Sequence, residues 1–188
     1  MMARVLVYGS RDFGSVLRRL TIQCGHDFIG FIDDWHTGEE VLGTFDTVRD
    51  SLPPGSCEVV LGIGYKHLAA RRKLLIDLHQ RGYATCSLLH PAAVISPDAR
   101  IDPGVAIMAG AIIDGNAVVE PGCVVWPGAV VNHDVRVGPN SFVSPNATLC
   151  GYVTLGESCF VGAGATVVDH TEVPDNTFIK AGSVYFRR

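Results

Sequence analysis

No apolar run in the 188 residues approaches the ~20 that a membrane-spanning helix needs, although 47% of the chain is hydrophobic. The six cysteines (Cys24, Cys57, Cys86, Cys123, Cys150, Cys159) form no C-x-x-C pair and no metal-finger spacing, which removes the usual sequence signs of zinc or dithiol chemistry. Lys and Arg are scarce in the second half, the formal charge is −4, and no basic face is visible for a nucleic-acid partner. Neither common phosphate-loop motif is complete. The opening Met1-Met2-Ala3-Arg4 leads straight into Val5-Leu6-Val7-Tyr8, too brief a run for a secretory signal, so a cytoplasmic protein is expected.

What is present in abundance is a period. Every sixth residue from Ile101 to Ile179 is Ile, Val or Leu. Four residues after each stands a small or β-branched partner, such as Val105, Ala111, Cys123, Ser141 or Ala165. A period of six fits neither a helix nor a simple strand; it suits a solenoid of short parallel strands joined by tight corners, three hexapeptides to a coil. The aliphatic residue must point inward and stack on its counterparts in neighbouring coils, with the small residue where the wall bends toward the axis. Corner residues follow, as in Asp102-Pro103-Gly104, Trp126-Pro127-Gly128 and Gly138-Pro139-Asn140.

Before the repeat, strand and helix alternate. Strands are expected at 4–8, 28–32, 58–63 and 86–89, and helices over roughly 15–24 and 66–80, giving a small Rossmann-like parallel sheet. The domains expected are therefore 1–89 and 90–188. After the first strand, Gly9-Ser10-Arg11-Asp12-Phe13-Gly14 lacks the middle glycine of G-x-G-x-x-G, and Ser15-Val16 replaces the Lys-Ser/Thr of a P-loop. A helix start after such a turn can still hold a phosphate. Asp33 and Asp34 end the second strand, where open α/β sheets place ligand contacts. The alternative is a plain turn with solvated acids.

One hexapeptide, Val131-Asn132-His133-Asp134-Val135-Arg136, puts an imidazole and a carboxylate where its neighbours have Pro-Gly. Both side chains are expected at an outward corner. An imidazole, with an ordinary pKa of about 6.5, suits proton abstraction near neutral pH, and a neighbouring carboxylate can fix its tautomer. Elsewhere such a pair is often decoration. Cys150 has no histidine in an evident sequence relation and is not favoured as a nucleophile.

These features together, with Leu89-His90-Pro91 at the boundary and Val143-Ser144-Pro145-Asn146-Ala147-Thr148-Leu149-Cys150-Gly151 in the repeat, resemble the bacterial hexapeptide acyltransferases of sialic acid O-acetyltransferase and bacillosamine or perosamine N-acetyltransferase type. The resemblance spans essentially the whole chain. It implies a left-handed β-helix, an acetyl-CoA donor, a nucleotide-sugar acceptor used in cell-surface polysaccharide biosynthesis, and a homotrimer. It implies His133 as general base with Asp134 as its partner, and a base-recognising role for Asp33 and Asp34 beside Gly9, Ser10 and Phe13. The donor's pantetheine arm is expected along Gly151, Gly162 and Ala165, with Lys180, Arg187 and Arg188 toward the CoA phosphates, or else as a solvated basic tail. Trp126 and Tyr152 are expected outside the prism, as subunit-interface anchors. Two positions depart from the family: Phe13 and Phe142 stand where relatives commonly carry histidines near the acceptor sugar and the thioester carbonyl.

The expected chemistry is direct acyl transfer to an amine or hydroxyl, without a covalent enzyme and without a metal. The acceptor's identity and the acyl group remain open. A binding protein without catalysis is the first rival, favoured by Phe13 and Phe142. A metal-dependent enzyme like the prism-fold carbonic anhydrases is the second; it needs three ligands, and the repeat offers only His133 and His170, which are not a whole number of coils apart.

Overall fold

The computed structural model describes residues 2–186, so Arg187 and Arg188 lie outside the described residues. The chain divides into two compact units between Leu88 and Leu89.

The first unit is a four-stranded parallel sheet of order β3-β2-β1-β4, built from β1 (Arg4–Tyr8), β2 (Asp27–Ile32), β3 (Val41–Gly43) and β4 (Glu58–Leu61). Val5 to Tyr8 are all buried, as expected of a strand covered on both faces. Helices α1 (Asp12–Gln23), α2 (Phe45–Val48) and α3 (Leu68–Gln80) supply the cover. Leu6, Tyr8, Ile32 and Leu61 form one core with Phe45, Val48, Leu75 and Leu78. Strand β3 and α2 fall in a stretch for which the sequence pattern predicts no element. Thr44 caps α2 by accepting a hydrogen bond from Thr47 N–H.

One expected strand belongs elsewhere. Residues 86–89 do not form a fourth long strand of this sheet: Thr85 makes a single bridge to Val59, and Leu88–Leu89 pairs into the solenoid. The reason lies in the repeat, which begins before Ile101. Leu89 and Ile95 are already on the six-residue register, and Leu89 is eighteen residues before Ile107.

The second unit is a β-solenoid whose three parallel faces have five, six and six two-residue rungs. Adjacent rungs pair at a separation of eighteen residues, as in Val119 with Val137 and Val131 with Leu149. Together with the hexapeptide repeat this is a left-handed β-helix. Its interior is the continuous aliphatic stack that the period demands, from Ile107 to Ile179, with the small-residue register buried from Val105 to Thr171. Each fully buried Val or Leu contributes about 1.5–3 kcal/mol relative to exposure. Cys123 and Cys159 lie inside this core and donate to the carbonyls of Gly138 and Pro174, at 3.0 and 3.1 Å.

The corners carry a second period. Every sixth residue from Gly104 to Gly182 has positive φ. Stacked by coil, these form three columns. One holds Gly104, Gly122, Asn140, Ser158 and Asn176; another holds Gly110, Gly128, Asn146, Gly164 and Gly182. The third has no glycine at all: Asn116, Asp134, Tyr152 and His170. A left-handed backbone costs a side-chain-bearing residue about 1–2 kcal/mol, with Asn, Asp and His the most tolerant, so Tyr152 is placed there against local preference.

Candidate functional site

The glycine-free corner is where the solenoid gathers its chemistry. His133 precedes the left-handed Asp134, and its Nδ1 lies 3.0 Å from Asp134 Oδ2. A carboxylate only accepts, so this contact calls for the proton on Nδ1. The other carboxylate oxygen accepts from Asn116 Nδ2 at 3.3 Å, one coil back. The imidazole is half exposed (52%) and Asp134 less so (33%).

Gly151, one coil on from His133, makes room for the ring. A Cβ at Gly151 would stand 2.7 Å from His133 Cε1 and 2.8 Å from Nε2, closer than such atoms approach. Its backbone has no positive φ, so smallness rather than flexibility is what the position requires. Tyr152 follows, with its ring edge-on to the imidazole at 5.2 Å and 85°. His170 stacks on Tyr152 at 4.7 Å and 4°. Local reading of the sequence finds His133 and Asp134 because they are adjacent. Asn116, Tyr152 and His170 are found only by stepping eighteen residues along the chain.

The other expected donor-site residues are distributed differently. Gly162 is buried against the next coil, where a Cβ would meet the Ala181 nitrogen at 2.4 Å. Ala165 is a core residue whose N–H donates to the Gly162 carbonyl and whose carbonyl accepts from Thr148 N–H. Both are accounted for by coil packing. Lys180 is exposed. Phe142 is fully buried and offers nothing polar to a reactant, whereas Trp126 is half-buried and Tyr152 is exposed.

In the first unit, a cavity of about 700 Å³ opens at the carboxyl ends of the strands and is lined by residues including Gly9, Asp33, Asp34, Trp35, Gly62 and His67. The strand order reverses between β1 and β4, so this is the switch point where open α/β sheets bind ligands. Gly9, Gly14 and Gly62 bring the turn, α1 and the loop after β4 together; a Cβ at Gly14 would lie 1.9 Å from the Gly9 carbonyl oxygen. Phe13 lies in the first turn of α1, with its Cβ 3.9 Å from where a Cβ at Gly64 would stand.

The two acids at this cavity are engaged with the protein itself. Asp33 Oδ2 accepts from Ser10 N–H and Oγ–H at 2.8 and 2.6 Å, and Oδ1 from the Trp35 and His36 N–H groups at 3.0 and 2.9 Å. Burial opposes ionisation of Asp33, but these hydrogen bonds outweigh it and hold the carboxyl well below the usual carboxylate range. Asp34 accepts from the Tyr8 hydroxyl and from Phe45 N–H. Trp35 and His36 are exposed beside them, at 89% for Trp35. Neither residue belongs to a motif that would single it out in the sequence.

Among the described residues, no three His, Cys, Asp or Glu side chains converge to hold a metal ion. None of the described helices is long and apolar enough to cross a membrane. Burial pushes the Cys86 thiol up to about 12 and raises Cys159 as well, so neither is a thiolate at neutral pH.

With this geometry in place, the likenesses to known proteins become specific. Residues 116–151 match the family Bacterial transferase hexapeptide (six repeats). The solved acetyltransferase domain of PglB from Neisseria gonorrhoeae superposes with a TM-score of 0.91 at 29% identity, covering 97% of this chain and 91% of that one. The same domain in complex with acetyl coenzyme A gives 0.88 at 29% identity, over 97% and 90%. PerB from Caulobacter crescentus, in complex with CoA and GDP-perosamine, gives 0.89 at 29% identity, over 100% of this chain and 90% of that one. Comparison with curated protein sequences gives no match. In its repeat and fold, the chain is similar to the PglB and PerB acetyltransferases.

Proposed function

We propose that this chain is an acetyl-CoA-dependent transferase that acylates an amino or hydroxyl group on a nucleotide-linked sugar, with His133 as general base. The observation that carries the reading is the His133–Asp134–Asn116 chain of hydrogen bonds, with Nε2 free to take a proton over the bare backbone of Gly151. The likeness to relatives solved with acetyl coenzyme A and with CoA plus GDP-perosamine supports both substrates.

His133 Nε2 removes the proton from the acceptor as its nitrogen or oxygen attacks the thioester carbonyl. Asp134 stabilises the imidazolium that forms. The carbon–sulfur bond breaks as the tetrahedral intermediate collapses, and the proton passes from His133 to the departing thiolate. No covalent enzyme is needed. With Phe142 buried, backbone N–H groups are the candidate donors to the oxyanion. Holding both substrates together contributes strongly, since effective molarities reach about 10⁵ M or more.

The acceptor's nucleotide is assigned to the first unit's cavity, with its phosphates toward the turn at Gly9 and Ser10 and the start of α1. Because Asp33 and Asp34 hold Ser10, Tyr8 and Phe45, they shape this cavity from behind, and Trp35 offers the open aromatic face for a base. Lys180 is the described cation available to CoA phosphates on the late coils. A homotrimer is supported by one solenoid face whose outward rungs are uncharged: Val94, Ile112, Val130, Thr148, Thr166 and Val184, with Val94 and Val184 62% and 65% exposed. Sedimentation should give three chains per particle. We place the enzyme in the cytoplasm, where acetyl-CoA and nucleotide sugars are made.

The test is CoA release from acetyl-CoA with UDP-, GDP- and dTDP-linked 4-amino sugars and a sialic acid. Turnover on one of them, lost in His133→Ala, is expected. Binding of acetyl-CoA with no turnover on any acceptor would favour the binding-protein reading, to which Phe13 and Phe142 point.

A further inference from the structure

The third corner column contains two residues that the proposed chemistry does not use, Tyr152 and His170, and both sit where the backbone favours glycine or asparagine. The other two columns place Gly, Asn or Ser at every such corner. An aromatic residue held in the left-handed region persists only where something in the fold holds it, and such strain gathers at working sites. Tyr152 is 51% exposed, so the hydrophobic core does not explain it. What it touches is the imidazole of His133 on one side, edge-on at 5.2 Å, and the ring of His170 on the other, flat at 4.7 Å.

We infer that Tyr152, braced by His170, is a positioning residue for His133. This rests on the reading of His133 as the base. Asp134 restrains the imidazole at one nitrogen only, through the Nδ1 contact at 3.0 Å. A ring tethered at one atom on a half-exposed corner can still tilt or turn over about its own axis. Gly151 removes any side chain from beneath the ring, which admits the imidazole over bare backbone but gives it no side-chain wall from that residue. The Tyr152 ring supplies the missing wall. The backbone couples the two residues as well, since Tyr152 N–H donates to the His133 carbonyl at 3.2 Å, so the corner that sets one side chain sets the other. His170 in turn fixes the Tyr152 ring by stacking, and its own N–H bonds the Gly151 carbonyl at 3.1 Å. The arrangement is a run of rings along one edge of the prism, ending at the half-exposed imidazole.

Substituting glycine at this corner separates positioning from structure, because it removes the ring and at the same time relieves the backbone. Tyr152→Gly should keep or raise Tm. In the enzyme without substrates at pH 8, ¹⁵N-edited spectra of the imidazoles, with His133 assigned from His133→Ala, should show one tautomer, protonated at Nδ1, in the wild type. The glycine variant should show a mixture, and Tyr152→Phe should restore the single form. With acetyl-CoA and the acceptor found by the panel, Tyr152→Gly should lower kcat about tenfold with both KM values within twofold, and Tyr152→Phe should stay within twofold of wild type.

A single tautomer and full kcat in Tyr152→Gly would overturn the inference. A parallel fall of Tm and kcat, which a structural role predicts, would overturn it too, and so would a rise in KM alone, which would make Tyr152 a ligand contact. If His133→Ala keeps wild-type turnover, the reading of His133 as base has failed and this inference fails with it. If His133→Ala is inactive while Tyr152→Gly is not, only the positioning role of Tyr152 has failed.

Discussion

Two aspartates, one in each unit, illustrate how differently a carboxylate can be employed. Asp33, at the end of β2, is buried and accepts hydrogen bonds from Ser10, Trp35 and His36 through both oxygens. Asp134, at a corner of the solenoid, is a third exposed and accepts from the side chains of His133 and Asn116. The first carboxylate accepts from three backbone N–H groups and the Ser10 hydroxyl as well as lying 3.1 Å from the His36 Nδ1, so its negative charge is spread over the loop that it holds in place. The second is left with an imidazole as its main partner, so its charge acts on a group that can carry a proton. Both follow an apolar strand in sequence; the difference lies in the supply of donors around them.

The strongest way to break this comparison is at the imidazole. His133→Ala should lower kcat/KM about 10³-fold, equivalent to about 4 kcal/mol of transition-state stabilisation, while leaving Tm within a degree or two. Steady-state kinetics and thermal unfolding on the same sample decide it.

Asp33→Ala should do the reverse. Removing a buried carboxylate with several charge-assisted hydrogen bonds is expected to destabilise the first unit by about 3 kcal/mol, read as a shift of the urea midpoint. The sign with pH follows from its lowered pKa. A carboxyl held below its unfolded value contributes stability that is complete above about pH 4–5 and is lost as pH falls through the folded value. The wild type should therefore lose stability on acidification more steeply than Asp33→Asn.

Asp134→Asn keeps the shape of the corner but turns an obligate acceptor into a group that can also donate, which removes the preference for the Nδ1 proton. We expect kcat to fall about 10²-fold, close to 2.7 kcal/mol, with stability unchanged within about 0.5 kcal/mol. A loss of stability comparable to that of Asp33→Ala would erase the contrast. The smallest effect is expected at Gly151→Ala, whose new methyl group would press on His133 Cε1 and Nε2. Because the ring can swing aside, the cost should appear as about tenfold in kcat, with little change in Tm.

Much of the solenoid is legible in the sequence because its constraint is one-dimensional: a fixed period of aliphatic residues leaves few other ways to bury them. Its start is harder to place, since Leu89 and Ile95 stand next to a region that reads as strand and helix. Its handedness comes through resemblance, not from the period. In the first unit, β3 and α2 escape because each is short and has no periodicity; the Thr44 cap is their one local signal. For the candidate site, adjacency reveals His133 with Asp134. Asn116, Tyr152 and His170 need the eighteen-residue step that only the coil defines. Asp33 misleads for a different reason, since its partners are mainly backbone N–H groups, which every sequence contains and none displays.

The central claim is that the His133 corner is the reacting centre. The direct measurement is the rate of CoA release from acetyl-CoA with the acceptor panel, comparing wild type with His133→Ala, together with acetyl-CoA affinity of both proteins by calorimetry. The account predicts turnover on at least one nucleotide-linked sugar, a drop of about 10³-fold in the variant, and affinity for acetyl-CoA unchanged within about twofold. A variant that turns over at the wild-type rate would contradict it.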